Sequence, residues 1–184
     1  MIVLPMPLDC APLPPDATYV VDLFCGIGGW STGSQQAGCS VALCVDFNED
    51  LLRIHQKNHP FCHHVLMRLG PETEHLLVRK IKSLIPDGAR WHLHGSPPCT
   101  KLSTMQAMRT HNLEEETEEG MRMVTWYLDF AMRMKPTTWS FEQVGSPEIA
   151  GALRMIQYQR PNMVSFVRNM DFSAFGVPQT RKRC

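Results

Sequence analysis

The sequence predicts one α/β domain built on a mostly parallel sheet. Short apolar runs rich in β-branched residues alternate with segments whose apolar residues recur at helical spacing. The first such run leads through a glycine-rich turn into a helix, which is how a nucleotide-binding α/β unit opens. No internal repeat or low-complexity linker divides the chain.

Bulk properties narrow the class. A chain of 184 residues is long enough for one domain that buries roughly 70% of its unfolded surface. Acidic and basic residues balance at 18 each, which is not the charge of a stand-alone nucleic-acid binder. The seven cysteines are scattered without a CxxC pair, which suits a reducing, intracellular compartment better than a disulfide framework. No run is long enough to span a membrane. Residues 1–17 are proline-rich and lack a cationic start, so they read as an N-terminal arm rather than a signal peptide. The domain proper is expected over residues 18–184.

Within it, residues 19–24 form a compact apolar run, read as a buried strand. Cys25-Gly26-Ile27-Gly28-Gly29 follows, then a helix over residues 30–36 that stops at Gly38. Glycines let backbone N–H groups approach a ligand, and a helix N-terminus favours an anion. A second strand, residues 41–46, ends in Asp46, about 20 residues after the turn, where a carboxylate suits the hydroxyls of a ribose. Phe47 beside it offers a stacking face. Asp46 also reads as a cap for a helix over residues 48–58. His59, Cys62, His63 and His64 are crowded but match no common zinc spacing, so no metal ligand is assigned.

A third strand is expected at residues 65–67 and a helix over 72–84 ending before Pro86. The strand at residues 91–94, with His92 and His94 on one face, delivers Gly95-Ser96-Pro97-Pro98-Cys99. Two prolines cannot continue a strand; they stiffen the backbone before Cys99 and aim its thiol. Thr100, Lys101 and Ser103 place polar and cationic groups nearby, which favours a thiolate. Residues 104–112 read as a mobile loop. The glutamates of Glu114–Glu119 read as a solvated helix start, followed by an apolar stripe of Met121, Val124, Leu128, Ala131 and Met132. A strand at residues 137–141 delivers Glu142-Gln143-Val144. A helix over 147–157, a strand at 164–167, a turn at 175–178 and a basic end complete the order. That basic end reads equally as a solubilising tail.

Four motifs stand in one order: Asp22-Leu23-Phe24-Cys25-Gly26-Ile27-Gly28-Gly29, Gly95-Ser96-Pro97-Pro98-Cys99 with Ser103, Glu142-Gln143-Val144, and Gly176-Val177-Pro178-Gln179-Thr180-Arg181-Lys182-Arg183. Together they resemble the cytosine-5 DNA methyltransferase family. The resemblance implies a Rossmann-like S-adenosylmethionine-dependent methyltransferase fold, with residues 18–184 as its catalytic lobe. It implies cofactor contacts from Phe24, Gly26, Gly28, Gly29, Asp46, Phe47 and Pro98. It implies Cys99 as nucleophile, Glu142 as the acid at N3 of the base, and Arg181 and Arg183 as electrostatic support. Cytosine-containing DNA would be the partner, with the target base flipped from the duplex. Three departures stand out. Gln143 replaces the family's asparagine, Thr100 replaces its glutamine, and Met67 and Arg68 lie where an acid usually faces the adenine. The family's target-recognition region and final segment have no counterpart here, so a second chain supplying recognition is one expectation. A catalytically inactive remnant that binds cofactor or nucleic acid, and an enzyme acting on RNA, are the alternatives.

Overall fold

The computed structural model describes residues 1–5, 16–98, 113–161, 163, 165–176 and 181–184. Two compact units divide them: residues 1–96 with 129–140, and residues 97–128 with 141–184.

The first unit carries the sheet. Its strands are β1 (Ile2–Val3), β2 (Tyr19–Leu23), β3 (Ser40–Asp46), β4 (His63–Leu66), β5 (Trp91–Gly95) and β6 (Thr138–Phe141), in the order β1-β4-β3-β2-β5-β6. The pairs β2–β3, β2–β5 and β3–β4 are parallel. Helices α1 (Gly29–Gln36), α2 (Glu49–Asn58) and α3 (Glu74–Leu84) make the crossovers. Strand order reverses at β2, so the turn after Leu23 lies where open α/β sheets bind ligands. β2 is buried along its whole length, which explains why it reads as a continuous apolar run and not an alternation. Ile2 and Val3 pair antiparallel with Leu66 and Val65, and Leu4 is buried behind them. Residues 6–15 lie outside the described residues.

His92 and His94 share a face of β5, as their spacing predicts, and both bind the Ser140 hydroxyl, at 2.8 and 2.7 Å. Trp30 of α1 stacks on His94 with ring centroids 3.9 Å apart.

In the second unit, α4 (Leu113–Met134) begins at the glutamate run and continues into the first unit, with Val124, Leu128 and Ala131 buried. α5 (Pro147–Gln159) starts at Ser146, whose hydroxyl accepts the Ile149 N–H. Of the strand expected at residues 164–167, the described residues Ser165, Phe166 and Val167 are irregular, and Val164 lies outside the described residues. Pairing occurs later, between β7 (Met170–Asp171) and β8 (Lys182–Arg183), which are antiparallel. Phe166 and Val167 are exposed, Phe166 at 82%.

The buried histidines give a pH signature. Burial, with His92 adding to it, pushes His94 down to about 3. Below about pH 6.5 the unfolded chain takes up a proton that folded His94 refuses, so its contribution to stability is full above pH 6.5 and lost as pH falls. Asp22 acts oppositely, because burial pushes its carboxyl up to about 7 and acidification relieves it. The difference between wild type and His94→Gln isolates the histidine. In urea unfolding, that difference should shrink by about 1.4 kcal/mol per pH unit between roughly pH 6 and 4.5. A constant difference would refute a neutral buried ring.

Candidate active site

In the first unit, the turn after β2 is held in an uncommon conformation. Phe24, Gly26 and Gly28 have φ of 60°, 53° and 97°, a region costly for a residue as bulky as phenylalanine. Both neighbouring strands pin it. The Cys25 N–H donates to the Val45 carbonyl at 3.2 Å, and the Ser96 N–H donates to the Leu23 carbonyl at 3.3 Å.

Gly28 caps α1, and a Cβ there would lie 2.6 Å from Cδ2 of His59. His59 follows α2 and grips the turn from below. Its Nε2 lies 3.1 Å from both the Gly28 carbonyl and the Thr32 hydroxyl, and its Nδ1 lies 2.8 Å from Oε1 of Gln35. Burial, reinforced by His55, lowers its pKa, which suits a neutral ring. The sequence placed His59 only in a histidine-rich crowd; nothing local marks it as the support of a turn 31 residues earlier.

Among the described residues, space beyond the turn is open. A Cβ on Gly26 or Gly29 would meet nothing within 4 Å among the described residues. Among the described residues no side chain caps the start of α1, so its first-turn N–H groups suit a carboxylate. The residues present therefore fit a nucleoside-bearing cofactor that presents a carboxylate to this face.

Asp46 borders the same turn. Its Oδ2 accepts the Gly26 N–H and its Oδ1 accepts the Asn48 N–H, both at 2.9 Å. The helix-cap role falls to Asn48, whose side chain accepts the Leu51 N–H at 3.1 Å. Phe47 is 53% exposed, and the Arg68 guanidinium lies 5.3 Å from its ring centroid. Met67 is buried, its N–H donating to the Asp46 carbonyl at 2.9 Å.

The second unit brings together Glu142, Gln143, Arg181, Arg183 and the Pro-Pro turn. Pro97 is buried and Pro98 exposed. Gln143 is buried; its side-chain amide donates to the Pro97 carbonyl at 3.2 Å and accepts the Val144 N–H at 2.8 Å. Its extra methylene relative to asparagine thus still reaches the loop. Gln143 and Cys184 exchange two backbone hydrogen bonds of 2.8 Å. This register sets Arg183 Nε 3.0 Å and Arg181 Nη2 3.3 Å from Oε1 of Glu142. The basic end is thus no loose tail but the counter-charge of Glu142. Cys99, residues 104–112 and Val177 to Thr180 lie outside the described residues.

Two substitutions probe these supports by urea unfolding. Gly28→Ala combines a left-handed φ with the His59 clash and should cost about 2 kcal/mol or more; a loss under about 0.5 kcal/mol would contradict the packing. Gln143→Leu removes the amide that pairs the buried Pro97 carbonyl and the part-buried Val144 N–H, and should cost about 1–3 kcal/mol, mainly for the buried carbonyl. Unchanged stability would mean that the amide holds neither.

Comparison with known proteins agrees with this geometry. The profile of the C-5 cytosine-specific DNA methylase family matches residues 18–146. The Type II methyltransferase M.AgeI of Thalassovita gelatinovora is 27% identical over 169 residues, 89% of this chain and 37% of that protein. The Type II methyltransferase M.HgiDI of Herpetosiphon aurantiacus is 28% identical over 170 residues, 89% of this chain and 49% of that protein. The chain thus spans half or less of the length of the curated relatives it matches. Among solved structures, the S. pombe Dnmt2 methyltransferase shares the fold, with a TM-score of 0.57 at 14% identity over 91% of this chain and 48% of that one. With the motifs, the sheet order and the profile in agreement, the chain belongs to the C-5 cytosine-specific DNA methylase family.

Proposed function

We propose that this chain is the catalytic portion of an enzyme that transfers a methyl group from S-adenosylmethionine to C5 of cytosine in DNA. The observation that carries the reading is the tie between Gln143 and Pro97. It fixes the turn two residues before Cys99 while the neighbouring Glu142 is held by two arginines.

The cofactor's residues follow from the open turn. The first-turn N–H groups of α1, with Gly26, Gly28 and Gly29, would receive the methionine carboxylate. Asp46 would hold the ribose hydroxyls, while Phe24, Phe47 and Pro98 would border the remaining groups. When bound, the sulfonium supplies an electrophilic methyl group.

The chain's own residues prepare the base. Cytosine C5 is a poor nucleophile. The Cys99 thiolate adds to C6, forming the S–C6 bond and breaking the C5=C6 π bond, so the electron pair becomes available at C5. Glu142 shares a proton with N3, which spreads the developing charge. Arg181 and Arg183 fix Glu142 in place and supply positive potential. After C5 is methylated, a base removes its remaining proton, the C5=C6 bond re-forms and the thiolate leaves. Because the base must leave its stack to reach Cys99, the substrate strand is flipped or single.

Target recognition would come from a further segment or a second chain. In support, α5 and the stretch after it expose Tyr158 at 85% and Phe166 at 82%, which suits burial against such a partner.

Covalent trapping tests the reading. Fluorine at C5 cannot leave as the proton does, so a competent enzyme stalls bonded to 5-fluorocytosine. With S-adenosylmethionine and 5-fluorocytosine DNA, wild type should form a denaturation-resistant adduct and Cys99→Ala none. An adduct in Cys99→Ala would overturn the nucleophile. No adduct from wild type, with or without added relatives' recognition segments, would favour the binding remnant, and an adduct with RNA alone would replace the substrate.

A further inference from the structure

Between α2 and strands β3 and β4 lies a cluster that the methyl-transfer reading does not use. Cys44 on β3, His55 on α2, Cys62 just before β4 and His64 on β4 are all buried. One donor atom from each lies within 4.8 Å of every other. We propose that Cys44, His55, Cys62 and His64 form a structural zinc site that fastens α2 to strands β3 and β4.

The distances suit one small cation. Cys44 Sγ and Cys62 Sγ are 3.3 Å apart, His55 Nδ1 and His64 Nε2 are 2.9 Å apart, and Cys62 Sγ lies 3.3 Å from His64 Nε2. In a tetrahedron with Zn–S near 2.3 Å and Zn–N near 2.0–2.1 Å, the corresponding edges are about 3.8, 3.3 and 3.6 Å. For these three of the six edges, displacements of about half an ångström or less create the geometry, and the remaining pairs lie within 4.8 Å. Two sulfurs with two imidazoles in a tetrahedral site select zinc among common divalent ions.

The surroundings orient the ligands as a metal requires. The Ser31 hydroxyl donates to Asp22 Oδ2 at 2.6 Å, so its oxygen is left to accept from His55 Nε2 at 3.1 Å. That places the His55 proton on Nε2 and turns the Nδ1 lone pair toward His64. A carboxylate acting through a hydroxyl on a ligand's outer nitrogen fixes both tautomer and ring plane. Without a cation, His64 Nε2 must serve both His55 Nδ1 and Cys62 Sγ with at most one proton. One cation satisfies all four donors together.

Linear spacing hid the site. The crowd at residues 59–64 points to His59 and His63, but His59 faces Gly28, Thr32 and Gln35. Two of the four ligands come instead from β3 and α2. Cys44 lies two residues before Asp46 on the same strand, so the metal would also steady the carboxylate that borders the glycine turn.

The test uses the whole chain, without a histidine tag, expressed with zinc and purified under reductant. Elemental analysis with native mass spectrometry should find one zinc per chain. Cobalt(II) added to the metal-free protein should give the intense visible bands of a tetrahedral ion and a thiolate-to-cobalt charge-transfer band. Cys62→Ala and His64→Ala should each lower metal content at least tenfold, and Cys39→Ala should keep it. Removing the zinc with a chelator should lower the melting temperature. A ligand variant that fails to fold leaves the wild-type stoichiometry and the cobalt spectrum to decide. Reduced, folded wild type with less than a tenth of an equivalent of zinc would overturn the proposal. So would a pale octahedral cobalt spectrum, a full equivalent retained by Cys62→Ala, or a Cys44–Cys62 disulfide in the reduced preparation.

Discussion

The first unit depends on one carboxylate. Asp46, at the last position of β3, accepts the Gly26 N–H with one oxygen and the Asn48 N–H with the other. It therefore joins the turn after β2 to the start of α2, about 20 residues later in the sequence. The turn needs such an anchor, because Phe24 stands at φ 60° and would relax if released. Gly28 meets the same requirement from the other side, where only a hydrogen atom leaves room for His59. In the proposed reaction Asp46 would exchange part of this hydrogen bonding for ribose, so the ligand would compete with a contact internal to the chain.

In the second unit, Gln143 plays the comparable part. It links three segments far apart in sequence: the Pro-Pro turn through its amide, Val144 through its carbonyl oxygen, and Cys184 through its backbone. Replacing an asparagine by glutamine in such a motif looks disruptive in one dimension. The longer side chain nevertheless reaches its acceptor while fully buried, so the motif tolerates the exchange by geometry and not by exposure. Glu142 and its arginines then follow from the same backbone register.

Much of this was legible in the sequence, for physical reasons that differ by element. β2 and β3 are buried in a parallel sheet, so their apolar runs are continuous and easily seen. The glycine turn, Asp46 and the Pro-Pro loop were legible because each demands a special residue type. What stayed hidden depends on long-range pairing. β1 is two residues long and gains its partner only from Leu66 and Val65. Ser165 to Val167 carry β-forming residues but find no strand to pair with. His59, and the grouping of Cys44 and His55 with Cys62 and His64, depend on α2 lying across β3 and β4, which no local spacing encodes.

The account stands or falls on Asp46 facing a nucleoside. Calorimetric titration of S-adenosylhomocysteine into wild type and Asp46→Asn measures this directly, because the amide keeps the shape and one acceptor while removing the charge. The account predicts binding to wild type and at least roughly tenfold weaker binding to the variant, equivalent to about 1.4 kcal/mol. Equal affinity in the two proteins would make Asp46 only a brace for the turn and would contradict the proposed cofactor site.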